Sequence, residues 1–192
     1  MARRLIIPTI NNSTTFATWD PVQSNGTYTI TSGLNLVNGP TANNQTINAT
    51  IGGSITGKSS NKWYWEITAV SGFGTGIGVT SGVASSFSGN LGSQSNGYAL
   101  FNFNSWYAAG ALTFFYFSLG IAAGDVIGVA LNAGANTITF YENGTQATPD
   151  GTLTGSNWLP AVSNNSNGQV KANFGQNPFA YTPPVGYQHG FF

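Results

Sequence analysis

Residues 124–144 read GDVIGVALNAGANTITFYENG, and this stretch decides the fold. Its first part, DVIGVAL at 125–131, is a nearly continuous apolar run, the pattern of a strand buried on both faces. Its second part, TITFY at 137–141, alternates and meets Glu142-Asn143-Gly144. Asn-Gly after an alternating run is the strongest short-range hairpin signal, because the tight turn needs positive φ at both central positions. Runs of the same kind lie on either side. TYTIT at 27–31 alternates, and TINATI at 46–51 alternates in part. KWYWEITAV at 62–70 alternates partly and ends at Ser71-Gly72, while GIGVT at 76–80 is a glycine-bearing strand. Residues 158–163 and 170–174 complete the series. Helix formers are scarce: Gly, Asn, Thr and Ser interrupt every window before a 3.6-residue period forms. Short strands between turn residues predict an all-β fold, an antiparallel sandwich of two packed sheets with few or no helices. The expected core holds Trp63, Trp65, Ile77, Val79, Val126, Ile127, Val129, Ile138, Phe140, Val162 and Phe174.

The chain has 192 residues, the size of one domain. Charged residues make up 5%, against about 25% in ordinary proteins. Five basic residues balance five acidic ones, so no footprint for nucleic acid or an anionic membrane is visible. The absence of Cys excludes disulfides, Cys-ligated zinc and thiol catalysis. The N-terminus, MARRLIIPTI, offers Leu5, Ile6 and Ile7 before Pro8, too short for the apolar core of a signal peptide. Synthesis in the cytoplasm without an export signal is expected. No apolar stretch approaches the roughly 20 residues of a membrane helix. The expected organisation is an N-terminal arm at 1–18, the sandwich at 19–187 and a short tail at 188–192.

Several stretches, in order, resemble a SPRY domain of the form found in bacteriophage virion and tail-fibre proteins. They are Trp19-Asp20-Pro21 with Asn25-Gly26 and the strand at 27–31, then 47–51, Gly57-Lys58-Ser59 and Lys62-Trp63-Tyr64-Trp65-Glu66-Ile67. Gly76-Ile77-Gly78-Val79 and Leu91-Gly92 follow. GDVIGVAL at 124–131 and TITFYENG at 137–144 are the most specific pair, and 159–163 and ANFGQNPFAYTPP at 172–184 close the match. The resemblance implies a concanavalin-like sandwich and a ligand surface built by loops at one edge. Asn48 stands where the family often has Arg, and Asn132 where an Asp usually follows. The segment at 98–117, YALFNFNSWYAAGALTFFYF, replaces a usually polar insertion.

The candidates for chemistry are few. Of the acids, Asp20 and Asp125 lie in the SPRY-like motifs, Glu66 is mid-strand, Glu142 leads a turn and Asp150 follows Pro149. No spacing suggests the carboxylate pair that glycoside hydrolysis needs. The one His, His189, reads as a solvated tail residue. No cofactor or metal site is expected. Residues 52–59 match the phosphate-loop spacing, but Trp63-Tyr64-Trp65 follows as strand where a helix is required. Asn164, Asn165 and Asn167 form a candidate ligand loop, although Asn-rich turns are common without a ligand.

The sharpest anomaly is aromatic. Tyr98, Phe101, Phe103, Trp106, Tyr107, Phe114, Phe115, Tyr116 and Phe117 concentrate in 98–117. Four successive aromatics cannot all face one side of a strand. Some therefore leave the core, and the nine are candidates for a subunit interface. Arg3, Arg4, Leu5, Ile6 and Ile7 are a candidate docking arm that could add as a strand to a neighbouring sheet edge. The expectation is a non-enzymatic phage virion protein, a decoration or fibre component at the particle surface. Its expected partners are other virion proteins, itself, and a host glycan or protein; recognition of that host molecule by a fibre tip is the alternative.

Overall fold

The computed structural model of the chain describes residues 14–31, 36–38, 45–51, 53–71, 75–82, 84–101, 105–115, 120–147, 150–164 and 168–192. In chain order the first strands are β1 (Thr18–Ser24), β2 (Thr29–Thr31), β3 (Leu36–Asn38), β4 (Gln45–Thr50), β5 (Lys62–Ser71) and β6 (Gly76–Thr80). A single 3-10 turn at Ala84–Ser86 precedes β7 (Gly97–Phe101), β8 (Ser105–Ala108), β9 (Ala111–Phe115) and β10 (Val126–Asn132). The last are β11 (Thr137–Glu142), β12 (Thr145–Gln146), β13 (Gly151–Thr152), β14 (Leu159–Asn164), β15 (Gln169–Asn173) and β16 (Gln188–His189). One sheet runs β1-β4-β14-β6-β7-β8-β9. The other runs β12-β11-β10-β5-β15-β3-β2, with β13 beside β11 and β16 beside β5. The all-β antiparallel sandwich read from the sequence is the fold.

Alternation places the core. In β5, Trp63, Trp65 and Ile67 point between the sheets, joined by Ile127, Val129, Leu131, Ile138 and Phe140 from the paired strands. The other sheet answers with Ile47, Ile77, Val79, Tyr98, Leu100 and Val162. Val126 is a correction: it is half-buried, because Ile127 takes the core side and neighbours alternate.

The opposite face of β5 is also buried, at Tyr64 and Glu66. Residues 174–187 leave the end of β15 and lie over this face as a strap. The chain then returns as β16, parallel to Trp63 and Tyr64, in the lane beyond the last β15 pair, Asn173 with Glu66. Phe179 sits edge-on to Tyr64, ring centroids 5.1 Å apart. Gly128 makes room beneath: a Cβ there would lie 2.4 Å from the Tyr64 hydroxyl oxygen. The strap is fastened by Glu66. Ala180 N–H donates to Oε2 at 2.8 Å, Tyr181 N–H donates to Oε1 at 2.9 Å, and the Tyr64 hydroxyl donates to Oε1 at 3.3 Å.

The tail expected at 188–192 packs into the sandwich. Phe191 is fully buried, 5.5 Å from the Trp65 ring and 5.8 Å from Trp63. Its N–H donates to Phe174 O and its carbonyl accepts from Ala17 N–H, both at 2.8 Å. Phe192 meets Trp63 and Phe16 edge-on. Gly175, at φ +112°, admits this crossing, since a Cβ would stand 2.5 Å from the Phe16 ring. Phe16 and Ala17 thus meet Phe191 and Phe192 at the sandwich, across the boundaries drawn at 18 and 188. His189 is exposed, but β16 holds it in place.

Glu66→Ala would leave two strap N–H groups without acceptors, so a loss of about 2–4 kcal/mol is expected. Urea titration followed by Trp fluorescence checks this, and Glu66→Gln, which retains one acceptor oxygen, should lose less. A second expectation concerns alkaline pH. Burial raises the Tyr28 and Tyr64 phenols above their ordinary value, with the Glu66 carboxylate adding to the rise at Tyr64. The folded chain keeps these protons where the unfolded chain loses them. The contribution is therefore fully present below about pH 10 and is lost as pH rises above it. Melting temperature should fall above that pH, and less steeply in Tyr64→Phe.

Candidate functional site

The end of the sandwich where β4 begins and β14 ends gathers five strand ends. Asn164 pairs with Gln45, Ser163 with Thr46 and Gly76, Gly76 with Phe101, and Phe101 with Ser105. A polar network closes part of this end. Asn25 Oδ1 accepts from Thr46 N–H at 2.6 Å, and its Nδ2 donates to the carbonyls of Phe87 and Gly89. The Tyr28 hydroxyl donates to Gln45 O at 2.6 Å. Ser163 and Asn164 are fully buried, and among the described residues neither Ser163 Oγ nor Asn164 Oδ1 has a hydrogen-bond partner. Gln45 Oε1 is also unpartnered. Asn164 Nδ2 does have one, Gly168 O at 2.8 Å. Asn164 is thus the described member of the candidate ligand loop; Asn165 and Asn167 lie outside the described residues, as does the whole docking arm, Arg3, Arg4, Leu5, Ile6 and Ile7.

The aromatic candidates for a subunit interface divide. Tyr98 is buried, 5.5 Å from the Trp158 ring, and its hydroxyl accepts from Thr154 N–H at 2.9 Å. Trp106 packs on Tyr98 and Phe140 between the sheets. Phe101 and Tyr107 meet at 5.2 Å on the outer face, in a second cluster with Phe87, Leu91, Ala99 and Ala161. These four each make aromatic contacts within the chain, Tyr98 and Phe101 buried and Trp106 and Tyr107 half-buried. On the outer face, Phe87 and Leu91 from residues 84–96 cover Phe101 and leave Tyr107 half-buried. Phe114 and Phe115 lie on β9, the last strand of its sheet. Phe103, Tyr116 and Phe117 lie outside the described residues.

The carboxylates take structural duties. Asp20 accepts from Val22 N–H and from the Thr50 hydroxyl. Asp125 accepts from Ala122 N–H and from Asn143 Nδ2, so it ties the turn before β10 to the β11–β12 turn. Glu142 is raised above its ordinary value by burial and then by the Asp125 charge, but both Asp125 oxygens are already engaged. The phosphate-loop spacing leads into strand rather than helix. Lys58 exchanges both backbone hydrogen bonds with Trp158. Its ammonium lies 4.7 Å from the Trp63 ring and 5.8 Å from Phe191, and burial there lowers its pKa. Among the described residues no group of three or more His, Cys, Asp or Glu is placed to hold a metal. Asn48 is buried; its Oδ1 accepts from Ala84 N–H at 2.9 Å and holds the 3-10 turn.

One surface group was not singled out in the sequence. Tyr141 and Thr139 share the outer face of β11, and the Thr139 hydroxyl donates to Asp150 Oδ1. Tyr187, on the strap, has Lys62 Nζ 5.5 Å from its ring. Burial and then the Asp150 charge raise both the Tyr141 and Tyr187 phenols. Alternation in TITFY gave Tyr141 its face, but nothing local could bring Tyr187 to it.

Tyr98→Ala and Trp106→Ala should each cost about 3–5 kcal/mol, the range for truncating a large core aromatic. Thermal unfolding of the isolated chain checks this; unchanged melting would return both residues to the class of exposed interface aromatics.

The SPRY domain family model matches residues 62–177. Among solved structures, the SPRY domain of human HERC1 superposes with a TM-score of 0.64 at 22% identity, covering 83% of this chain and 99% of that one. The PSpry domain of TRIM65 superposes at 0.62 and 17% identity, covering 82% of this chain and 92% of that one. Stonustoxin matches at 0.62 and 23% identity over 82% of this chain and 27% of its own. At these identities the likeness concerns the fold. No curated protein matches the sequence.

Proposed function

The chain belongs to the SPRY domain family, a family of protein–protein interaction modules that are typically non-catalytic, and from that premise we propose that it is a non-enzymatic bacteriophage virion protein. In this reading the sandwich is displayed on the particle surface, as a decoration or fibre component, and serves as a binding and assembly module. Its partners are other virion proteins and further copies of itself. The virion setting is supported by the likeness of GDVIGVAL, TITFYENG and ANFGQNPFAYTPP to phage forms of the domain. The binding role is supported by one observation above all: five strand ends converge where three buried oxygens, Gln45 Oε1, Ser163 Oγ and Asn164 Oδ1, lack donors among the described residues. A buried polar atom without a partner costs free energy, so a site that keeps one is a candidate for being completed by a ligand. Recognition of a host glycan or protein is the second reading; it is favoured by the aromatic and carboxylate group on the other sheet.

Two measurements test the proposal separately. Antibody labelling of intact particles should place the chain on their surface; a chain found only in the soluble fraction of an infected lysate would end the virion reading. Ser163→Ala removes an unpartnered oxygen, so melting should be unchanged or slightly raised, while association with particles should weaken by about tenfold. Undiminished association would remove the loop end from the binding role.

A further inference from the structure

We propose that Tyr141, Tyr187 and Asp150, on the outer face of the β10–β11–β5 sheet, form a binding site for a neutral glycan. The strand register builds the floor. Across β5, β10 and β11 the outward residues fall in three rows: Lys62, Asn132 and Thr137; Tyr64, Ala130 and Thr139; Glu66, Gly128 and Tyr141. Ala130 and Thr139 are buried although they lie on this outward face, so side chains from the strap and from residue 150 close over them. Tyr187 stands above the first row, with Lys62 Nζ 5.5 Å from its ring, and Tyr141 ends the third. Asp150 reaches the middle row through the Thr139 hydroxyl, leaving Oδ2 without a donor among the described residues. Both tyrosines remain half-exposed and Asp150 is exposed.

The chemistry selects the ligand class. Two amphipathic rings present apolar faces to C–H surfaces and hydroxyls to polar groups, at low cost in side-chain entropy. The Asp150 oxygen that Thr139 leaves free can accept from ligand hydroxyls. The exposed part of the group holds one cation, Lys62, and one anion, Asp150, the Glu66 carboxylate being buried under the strap, so an ionic ligand of either sign meets a like charge, while a neutral polyol meets none. A cationic ligand is further disfavoured because Lys62 already occupies the Tyr187 ring. The rings are also held in place. Tyr187 is carried by the strap that Glu66 fastens, and Tyr141 lies in a strand paired on both sides. A preformed site does not have to order its side chains on binding.

The site is distinct from the loop end, so the two stand or fall apart. The full chain is titrated with glucose, galactose, mannose, N-acetylglucosamine and their neutral oligosaccharides, followed by saturation-transfer NMR and calorimetry. At least one neutral oligosaccharide should bind with Kd below roughly 10 mM. Tyr187→Ala and Asp150→Asn, which keeps an acceptor for Thr139, should each weaken that binding by about tenfold with melting preserved, and Ser163→Ala should leave it unchanged. The proposal is overturned by no binding across the panel, by binding indifferent to Tyr187 and Asp150, by binding lost in Ser163→Ala, or by binding confined to charged saccharides. Should Tyr187→Ala fail to fold, Asp150→Asn with Tyr141→Phe gives the same reading.

Discussion

Glu66 is a carboxylate buried in the middle of a sheet, and among the described residues no ion pair reaches it. An isolated buried charge is costly, and its cost is met only by hydrogen bonds of good geometry. Two consecutive backbone N–H groups and a phenol provide them. The two backbone donors sit on a segment more than a hundred residues away, so the demand of one side chain fixes where that segment must lie. The consequences spread from there. The strap covers the outer face of β5, and Tyr64 becomes interior. DVIGVAL can then be apolar on both faces, and β16 returns in register to deliver Phe191 into the core. Burial on both faces of a central strand is usual for sheets covered by helices. Here irregular chain does that covering, which is possible because its backbone groups find acceptors such as Glu66 and Phe174 O.

This arrangement divides the two sheets by task. The sheet ending in β9 is closed on its outer face by residues 84–96, and its polar groups are spent on that closure, as with Asn25, Asn48 and Thr46. Its loop end nevertheless keeps three buried oxygens, of Gln45, Ser163 and Asn164, without donors among the described residues. The sheet that carries the strap is sealed over β5, yet its margin at β11 leaves rings and a carboxylate partly open. A sandwich built in this way offers two separate surfaces without altering its core. That suits a family in which fold and function are only loosely tied.

The parts legible in the sequence were those whose signals are local. TITFY followed by Asn-Gly named its hairpin, and KWYWEITAV assigned Trp63 and Trp65 to one face. The tail was misread for the opposite reason. Gly190-Phe191-Phe192 has no period and no turn signature, and its partners are Trp63, Trp65 and Phe16, far away along the chain. The aromatic segment shows a third case. The argument that neighbours on a strand face opposite ways was sound, and Tyr107 does point away from Trp106. It failed to anticipate that the outward face has its own cover, from Phe87 and Leu91. Facing away from the main core is not the same as facing water. Tyr187 joined Tyr141 through the strap, and only the long-range demand of Glu66 could have revealed that.

The abundance of Asn has a physical explanation that also separates candidate ligand groups from structural ones. Asn61, Asn136, Asn143 and Asn157 all have positive φ, where Asn is tolerated better than other residues with a side chain. The side chains then work a second time. Asn136 Oδ1 accepts from Trp158 Nε1 at 2.9 Å, and Asn143 bonds both Val126 N–H and Asp125. In a chain with 5% charged residues, the amide supplies the turn geometry and the tertiary hydrogen bonds that charged groups often provide elsewhere. An Asn in a loop is therefore no evidence of a ligand here, since its donors and acceptors are ordinarily consumed by the fold. Asn164 departs from that pattern, as Asn90 does in its loop: Asn164 lies at the end of a strand, fully buried, with its amide nitrogen engaged and its oxygen unmatched among the described residues. What distinguishes it is the half of its hydrogen-bonding capacity that the described fold leaves unused, and this, rather than its residue type, is what makes the loop end a candidate for a partner.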